Sequence, residues 1–458
     1  MRKLFGTKDI RGVANEELTP EFCVRLGKAV GTYFGGGDIL VGMDERLGSQ
    51  MTALALMSGL ISTGCRVHWL GLATTPMVQW AVGELGGDGG IVITASHNPP
   101  EYTGIIVLDE HGIEVSPEAR EEIEAIFRGE EFMKVPWYGL RPVREVDTER
   151  EVLKPYIKSV IRQVDVNLIE LANPKIIIDT ASTVSAMPIH LLMEELGISY
   201  VMLGAELDGR HPRRISEPRP DTLSRLRTVA SRLEADFGVG VDGDCNRAIF
   251  CYKDEVWWGD YSFALIAKWY LRDHPGETLL TPISSSMVVK DVVEACGGKL
   301  KWCKVGAGYV SRIMVEEGIR LAGEENGGIC YAYHGPFRDA CMAIALMLQV
   351  LAEEGRPLKE LMDELPRYQI AKGSVPCPEE LKEKVMSEVG RRVEGEAYLE
   401  KITIDGIRLM FEGYSVLIRP SGTEPIIRVF TESRHGDAEE LLAKYMGLVE
   451  EVVGEVSK

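Results

Sequence analysis

Short apolar segments that are typical of β-strands alternate with longer amphipathic segments along almost the whole chain. Asp38–Gly42 is predicted to be a buried strand, residues 50–64 a helix, and Arg66–Leu70 and Gly90–Thr94 the next two strands. This β-α-β order predicts parallel or mixed sheets that are covered by helices. The same order restarts after about residue 150 and again near residue 255.

The length of the chain and the restarts of this pattern suggest its domain organisation. A chain of 458 residues has room for about three or four domains of ordinary size. The C-terminal part differs, because Tyr414–Arg419 and Ile426–Phe430 predict two strands around a turn and residues 437–453 a closing helix. We therefore predict an α/β protein: three similar mixed-sheet α/β/α domains at residues 1–150, 151–253 and 254–366, and a smaller α+β domain at residues 367–458.

The composition narrows the classes of partner. The formal net charge of -19 disfavours nucleic acid and anionic membrane surfaces, which are themselves negatively charged. A small anionic substrate is compatible with it, since a local cluster of Arg and Lys can reverse the potential inside one cleft. The 9 cysteines are scattered without a C-x-x-C pair, which argues against a zinc site and a secreted disulfide framework. The sequence has no signal peptide pattern and no long apolar run, so we expect a cytoplasmic protein.

The first motif that carries chemistry is Gly90–Pro100, which ends in Thr-Ala-Ser-His-Asn-Pro-Pro. Here an apolar strand leads into a loop with Ser96 and His97, at the strand end where open α/β sheets bind ligands. A serine in this position can act as a nucleophile when it is activated. The alternative is a turn in which Ser96 and Asn98 bond only the backbone, and the local sequence does not separate the two.

The second motif is Val239–Arg247, which reads Val-Gly-Val-Asp-Gly-Asp-Cys-Asn-Arg. Asp242 and Asp244 flank a glycine, so a tight loop can direct both carboxylates to one place, and Asn246 adds an amide oxygen. Oxygen donors of this kind suit Mg²⁺, and the Arg247 guanidinium is suited to phosphate. A polar turn after a buried strand is the alternative.

Two further motifs have the residues that bind a sugar and a phosphate. Glu324 and Asn326, framed by glycines in Ala322–Gly328, can bond sugar hydroxyls, although an exposed acidic loop explains this run as well. In Arg419–Pro425, which reads Arg-Pro-Ser-Gly-Thr-Glu-Pro and is followed by Arg428, the arginine, hydroxyls and loop N–H groups together can hold an anion. The alternative for this run is a hairpin turn with an arginine on its rim.

These four motifs, in this order and one per predicted unit, resemble the α-D-phosphohexomutase family of phosphoglucomutases, phosphomannomutases and phosphoglucosamine mutases. The resemblance covers essentially the whole chain and begins at Phe5–Gly12, which is similar to the family's opening strand. It implies an archaeal-type phosphosugar mutase, an isomerase that moves phosphate between O1 and O6 of glucose or mannose phosphate. In the family the phosphate passes through a phosphoserine and a bisphosphorylated sugar, inside a central cleft that a mobile fourth domain opens and closes.

The resemblance also implies cofactors, partners and a role for each motif. It implies Mg²⁺ as the metal, hexose 1,6-bisphosphate as activator and intermediate, and a sugar phosphate as the partner. Members of the family occur as monomers and as homo-oligomers, so the resemblance allows either state. By residue, the implied catalytic groups are Ser96, His97, Arg11 and Arg247; the implied metal ligands are Ser96 with its phosphate, Asp242, Asp244 and Asn246; and the implied substrate-binding groups are Glu324, Asn326, Arg419, Ser421, Gly422, Thr423 and Arg428.

Several positions depart from the family pattern. Asn246 stands where the metal loop usually has a third aspartate, and Ile106 stands where a lysine near the serine is usual. Many members have a serine and a histidine where this chain has Asn326 and Gly328, although archaeal-type members often share the form found here. Two loops also differ, since one has lost the first arginine of a GRDxR stretch and the other replaces a glycine-rich loop: Gly42–Arg46 and Thr180–Val184.

Three hypotheses remain open from the sequence. The first is an active mutase with altered efficiency or substrate preference, the second a diverged paralogue that binds phosphosugars and catalyses poorly, and the third a phosphatase-like enzyme that hydrolyses a phosphoserine intermediate. The intact serine, metal and phosphate motifs favour the first, whereas Asn246 and Ile106 keep the second open. The sequence does not choose among glucose, mannose, glucosamine and pentose phosphates.

Overall fold

The computed structural model describes residues 4–6, 9–422 and 424–457. These residues form four sheets, each built from one continuous stretch of chain: three mixed sheets with helices on both faces, and one antiparallel sheet. The predicted fold class, three similar α/β/α units and a smaller C-terminal unit, is confirmed. No helix in the described ranges has the length and apolar character needed to cross a membrane.

The first sheet has six strands in the order β1-β5-β4-β2-β3-β6. Thr19, Thr74 and Ser116 each cap a helix that has proline in its first turn, which is a favourable way to start a helix. The elements are β1 Ile10–Val13, α1 Pro20–Tyr33, β2 Asp38–Met43, α2 Ser49–Ser62, β3 Arg66–Leu72, α3 Thr75–Leu85, β4 Gly89–Ile93, β5 Tyr102–Leu108, α4 Pro117–Gly129 and β6 Arg144–Glu145.

The second sheet has five strands in the order β11-β10-β9-β7-β8. Its last strand in chain order, Glu255–Trp257, forms a hairpin with Ala248–Tyr252. This strand lies beyond the predicted boundary at residue 253, in the range predicted for the third unit. A short π-helical segment, Thr148–Leu153, leads into this unit. The elements are α5 Lys154–Ile161, α6 Val166–Ala172, β7 Ile176–Asp179, α7 Ala186–Leu196, β8 Tyr200–Leu203, α8 Ser224–Arg232, β9 Phe237–Val241, β10 Ala248–Tyr252 and β11 Glu255–Trp257.

The third sheet has the order β13-β12-β14-β15-β16 and the fourth the order β17-β21-β20-β19-β18. The third unit contains α9 Gly259–Asp273, β12 Thr278–Pro282, α10 Met287–Ala295, β13 Lys299–Cys303, α11 Ala307–Glu317, β14 Leu321–Gly323, β15 Ile329–Tyr331, β16 Gly335–Arg338, α12 Ala340–Glu354 and α13 Leu358–Asp363. The fourth contains β17 Gln369–Pro376, α14 Lys382–Arg392, β18 Glu400–Ile402, β19 Ile407–Phe411, β20 Tyr414–Pro420, β21 Ile426–Ser433 and α15 Ala438–Val456.

The cores explain why the first three units form one body. Successive residues of a strand point to opposite faces of its sheet, and in β2 the side chain of Leu40 joins one hydrophobic cluster while Ile39 and Val41 join another. The cluster of Leu40 also contains Ile178 of the second unit and Leu279 of the third. One continuous core therefore joins the three mixed sheets, whereas the fourth unit has a core of its own.

A buried ion pair fixes the fourth unit to the third. Arg408 of β19 pairs with Glu432 of β21 at 2.7 Å, and both are nearly inaccessible to solvent. The Arg408 guanidinium donates to the carbonyl oxygens of Ile283 and Ser285 in the third unit, at 2.7 and 2.5 Å. The Glu432 carboxylate accepts from the backbone N–H of Met287 at 2.9 Å, so it caps the N-terminus of α10, where a negative charge is favourable.

We expect Glu432→Ala to destabilise the junction between the third and fourth units by about 3–5 kcal/mol, because it leaves the Arg408 charge buried without its partner. Thermal and denaturant unfolding measure this loss, and the exposed Glu450 of α15 provides the control. Glu450→Ala is expected to change stability by no more than about 0.5 kcal/mol. Equal effects of the two substitutions would contradict the role of the Arg408–Glu432 pair in fixing the fourth unit to the third.

Candidate active site

Each of the four motifs occupies the same place in its sheet. Residues 94–101 join β4 to β5, 242–247 join β9 to β10, 324–328 join β14 to β15, and 421–425 join β20 to β21, and each pair of strands is antiparallel. In the three mixed sheets, the strand before the loop also has a parallel neighbour. These three loops therefore leave the carboxyl ends of central strands, where ligands bind in open α/β sheets.

The four loops meet at a cleft of about 1010 Å³ to which all four units contribute. Most of the predicted site residues line this cleft, whereas Ser96 and the three predicted metal ligands of the second loop are buried beside it. Thr423 lies outside the described residues. The lining residues that the sequence analysis selects are Arg11, His97, Arg247, Glu324, Asn326, Arg419, Ser421, Gly422 and Arg428.

Ser96 has a left-handed backbone conformation with φ of 50°. For a residue other than glycine this conformation is strained, and it persists only where the surrounding structure enforces it, often at functional sites. The Ser96 hydroxyl lies 3.3 Å from Nδ1 of His97 and 3.3 Å from Oδ2 of Asp242. The structure therefore brings the predicted nucleophile, a possible proton carrier and a predicted metal ligand together.

Arg46 enforces the shape of the serine loop. Its side chain is buried and its Nε lies 3.2 Å from the Asp44 carboxylate. The guanidinium donates four hydrogen bonds to backbone carbonyl oxygens of the loop, at distances of 2.6–3.1 Å. These carbonyls belong to Ser96, Asn98, Pro99 and Tyr102. The sequence analysis names Arg46 only within a divergent stretch and misses this role.

The second loop packs directly against the serine loop. Ser216 donates a hydrogen bond of 2.8 Å to the Ser96 carbonyl. At Gly243 a Cβ atom would lie 2.5 Å from the same carbonyl oxygen, which is closer than van der Waals contact. Only glycine fits between the two aspartates, because the serine loop occupies the space that a side chain would need.

The second loop presents oxygen atoms that suit a divalent cation. Asp242, Asp244 and Asn246 are all buried, and Asp242 Oδ1 accepts the backbone N–H of Asn246 at 2.9 Å. The Asn246 side-chain nitrogen donates to Asp244 at 2.7 Å, while its Oδ1 is buried with no hydrogen-bond partner. An unsatisfied amide oxygen beside two carboxylates fits the ligand preference of Mg²⁺.

The metal loop has two carboxylates and one amide as its side-chain oxygen donors. In the described part of the chain no three His, Cys, Asp or Glu side chains are grouped to hold a metal ion, because the third donor of this loop is an amide. Burial and the neighbouring Asp244 carboxylate raise the pKa of Asp242 to about 7. A bound cation would therefore favour the ionised form of Asp242.

Two predicted catalytic arginines lie beside this pair of loops. Arg247 lies 3.5 Å from Asp242 and 3.7 Å from Glu217. Arg11 of β1 pairs with Asp9 at 2.7 Å and also bonds the side chain of Asn98 in the serine loop. Both guanidinium groups therefore border the cleft next to the buried Ser96, where negative charge develops if phosphate is transferred.

A cationic residue of β16 that does not stand out in the sequence packs against the sugar loop. Arg338 is buried, lines the cleft and lies 3.4 Å from the Glu324 carboxylate. Its aliphatic stem fills the space next to Gly328, where a Cβ atom would lie 2.4 Å from the arginine Cδ. The absence of a side chain at Gly328 thus makes room for Arg338. Glu324 Oε1 is buried without a hydrogen-bond partner, so it has an acceptor left for a ligand.

The fourth loop presents two arginines to the cleft. Arg419 pairs with Asp405 at 2.9 Å and Arg428 pairs with Glu424 at 2.6 Å. Ser421 Oγ accepts the backbone N–H of Glu424 at 3.2 Å, which closes the turn. Both arginines are partly exposed, so a phosphate can exchange with their carboxylate partners.

Two of the divergent positions in the first two units lie in well-defined structural surroundings. Ile106 lies on β5 with no exposed surface and belongs to the large shared core, so it contributes packing at that position. Ala181 and Ser182 both have left-handed backbone, with φ of 56° and 64°, a conformation that suits glycine. The loop is held in part by Glu45, which accepts the backbone N–H of Val184 at 2.6 Å.

Comparison with known sequences finds four domain models along the chain. The models are phosphoglucomutase/phosphomannomutase alpha/beta/alpha domain I over residues 2–134, domain II over 154–255, domain III over 258–368, and the C-terminal domain over 374–446. A phosphoglucomutase/phosphomannomutase of Thermococcus kodakarensis is 38% identical, over 99% of this chain and 100% of the relative. A phosphoglucosamine/phosphogalactosamine mutase of Sulfurisphaera tokodaii is 39% identical, over 95% and 96%.

Comparison with solved structures gives the same fold. A phosphoglucomutase/phosphomannomutase family protein of Burkholderia thailandensis matches with a TM-score of 0.86 and 23% identity, over 99% of this chain and 98% of that one. The N-acetylphosphoglucosamine mutase of Aspergillus fumigatus, in complex with GlcNAc-6P and magnesium, matches with a TM-score of 0.62 and 13% identity, over 98% and 96%.

We expect the stabilisation of this protein by Mg²⁺ to increase with pH. In the folded protein without metal Asp242 has a pKa of about 7, against 3.8 in an ordinary environment. The folded state thus binds this proton more tightly than the unfolded chain, so the contribution of Asp242 to stability falls as the pH rises between these two values. Mg²⁺ competes with the proton, and its effect on the melting temperature should be larger at about pH 8 than at about pH 5.5.

The Asp242→Asn variant is the control for this measurement, because it removes the titrating group and retains the shape of the side chain. Its melting temperature should respond weakly to Mg²⁺ at both pH values. An equal response of the unchanged protein at both pH values would contradict the assignment of Asp242 to the cation.

Proposed function

Because the chain belongs to the phosphoglucomutase/phosphomannomutase family and is an enzyme of the isomerase class, we propose that it moves phosphate between O1 and O6 of a hexose phosphate. The route is through phosphorylated Ser96 and a bisphosphorylated sugar. The observation that carries this proposal is the strained, buried Ser96 with His97 and Asp242 each 3.3 Å from its hydroxyl. A serine so enclosed by another domain's carboxylate loop is suited to carry a phosphate beside a cation.

In the first half-reaction a sugar hydroxyl attacks the phosphorus on Ser96. The bond between phosphorus and Ser96 Oγ breaks as the bond to the sugar oxygen forms, and in the net reaction the proton of the sugar hydroxyl is replaced by one on Ser96 Oγ. In the tautomer protonated at Nδ1, which lies 3.3 Å from the hydroxyl oxygen, His97 would pass its proton to the Ser96 oxygen as that oxygen leaves and regain one from the sugar hydroxyl. The second half-reaction reverses these steps with the other phosphate of the sugar, so the serine ends phosphorylated again.

The charged residues of the first two units stabilise the transferring phosphate. Arg247 and Arg11 supply fixed positive charge at the edge of the cleft, which is effective where water is excluded. Asp242, Asp244 and Asn246 would hold Mg²⁺ together with the serine phosphate, and the ion offsets negative charge on the transferring group. This proposal is supported by the unsatisfied Asn246 oxygen and by the magnesium complex of the Aspergillus relative.

The third and fourth units bind the part of the substrate that does not react. Glu324 and Asn326 bond sugar hydroxyls, and the fourth loop holds the second phosphate through Arg419, Ser421, Gly422, Thr423 and Arg428. Binding energy from these remote contacts positions the reacting oxygen at Ser96. The same contacts serve both orientations of the bisphosphorylated sugar, since the sugar must turn around between the two half-reactions.

The preferred sugar has two candidates. Glucose and mannose phosphates are the first, and the relative named phosphoglucomutase/phosphomannomutase supports them. Glucosamine phosphate is the second, because a glucosamine/galactosamine mutase is similar to this chain to nearly the same degree. The two classes differ at carbon 2, where an amine replaces a hydroxyl.

A coupled assay tests the proposal and separates the candidates. The pure protein with Mg²⁺ and a trace of glucose 1,6-bisphosphate is expected to convert glucose 1-phosphate, mannose 1-phosphate or glucosamine 1-phosphate to the 6-phosphate. Absence of product from all three sugars would overturn the mutase proposal and favour a diverged paralogue that only binds. Release of inorganic phosphate without a 6-phosphate would instead favour a phosphatase-like enzyme.

Ile106 stands where the family usually has a lysine. We expect Arg338 to supply the positive charge that this lysine would provide. Arg338→Met keeps much of the aliphatic packing and removes the charge, so it should lower kcat/KM by about 10- to 1000-fold. It should also lower the melting temperature, because Glu324 is left buried without its ion-pair partner. Arg338→Lys should retain more activity than Arg338→Met. Equal activity of the Met variant and the unchanged protein would show that the side chain only fills the space beside Gly328.

A further inference from the structure

Lys382, at the start of α14, is a buried cation outside the roles assigned above. Its side chain is 6% exposed and pairs with the exposed Glu379 at one edge. The ammonium group also donates to the carbonyl oxygens of Ser421 at 2.6 Å and Glu424 at 2.8 Å. It therefore bonds the backbone on either side of the central residues of the phosphate loop.

The orientation of the Ser421 carbonyl fixes the direction of a neighbouring N–H group. In a planar trans peptide the C=O and the following N–H point in opposite directions. Because the Ser421 carbonyl points towards Lys382, the N–H of Gly422 points away from it. Gly422 lines the cleft, while Lys382 is not among the described residues that line it. The Gly422 N–H is thus directed to the side where a phosphate would lie.

Backbone hydrogen bonds hold the two ends of the turn together with Lys382. Ser421 N–H donates to the carbonyl of Ile426 at 3.0 Å, and Cys377 N–H donates to that of Pro425 at 2.8 Å. The Glu424 carbonyl also accepts the backbone N–H of Ile426 at 2.8 Å, so Lys382 shares this acceptor and binds the Ser421 carbonyl as its second point of contact. At Gly422 a Cβ atom would meet no other atom within 4 Å, so packing against neighbouring side chains does not hold this peptide in place.

We propose that Lys382 is a positioning residue for the phosphate loop, which turns the Gly422 N–H towards the non-transferring phosphate of the substrate. This inference rests on the proposed function for the identity of the anion. The buried ammonium charge behind the loop also favours an anion in front of it, although the Glu379 carboxylate offsets part of that charge. Arg46 behind the serine loop has the same arrangement, a buried cation that binds loop carbonyls from the side opposite the ligand.

The test compares Lys382→Met with Lys384→Met. Lys384 lies on the same helix two residues later and is exposed, so the two substitutions remove the same charge from the same element. Lys382→Met should raise KM for the hexose 1-phosphate by about 10- to 100-fold, the effect of losing one or two charged hydrogen bonds, and should lower kcat much less. Lys384→Met should leave both constants unchanged.

Two readouts do not depend on turnover and therefore separate this inference from the proposed function. The first is hydrogen exchange of the segment 414–426, which should be faster in Lys382→Met than in Lys384→Met. The second is calorimetric binding of inorganic phosphate, which should be weaker in Lys382→Met. If the unchanged protein has no mutase activity, these readouts still decide the role of Lys382.

Two milder variants keep the test valid if Lys382→Met does not fold. Lys382→Arg retains the charge and its donors and should restore most of the binding, whereas Lys382→Gln retains a neutral donor and should restore less. A loop that exchanges at the unchanged rate in Lys382→Met or Lys382→Gln, with unchanged phosphate binding, would overturn the inference. A fall in melting temperature with no change in exchange or binding would likewise assign Lys382 a purely structural role.

Discussion

The conformation of Ser96 depends on one buried guanidinium. Arg46 donates to four carbonyl oxygens of the serine loop while Asp44 holds its other edge, and the loop it holds places Ser96 in a left-handed conformation. An isolated loop would not keep that conformation, because it is strained for serine. The metal loop then packs against the Ser96 carbonyl through Gly243. The contact between Ser96 and Asp242 thus follows from the fixed shape of the serine loop.

The four loops meet at one cleft because each unit repeats the same arrangement. In each unit, two antiparallel strands are joined by a loop that contains the motif. The β-α-β pattern of the sequence predicts this repetition, and the run Gly90–Thr94 predicts strand β4 to within one residue. Local sequence is sufficient here, since buried central strands are continuous apolar runs that end abruptly in polar turns. The four motifs could be selected for the same reason, as each is a polar turn of unusual composition after such a strand.

Other features could not be predicted, because they depend on contacts between residues far apart in the sequence. Arg338 becomes part of the cleft only because Gly328 leaves room for its stem, and nothing in the run around Arg338 indicates this. Arg408 and Glu432 are separated from the residues they bind in the third unit by more than a hundred positions. They also bear on the expectation of a mobile fourth domain, since motion of that domain must pivot on or break the hydrogen bonds that this ion pair makes to the third unit. The residues of strand β11 lie beyond the predicted boundary at residue 253, because strand pairing, and not composition, decides which sheet they join.

We propose that Ser96 carries the phosphate. Arg338 adds a positive charge to the cleft, and Asn246 leaves the metal loop with one negative charge fewer than a third aspartate would give. The most direct measurement is the intact mass of the protein after incubation with Mg²⁺ and glucose 1,6-bisphosphate. The account predicts a gain of about 80 Da, the mass of one phosphate added to a hydroxyl, in the unchanged protein and none in Ser96→Ala. The absence of any gain in the unchanged protein, or the same gain in Ser96→Ala, would contradict it.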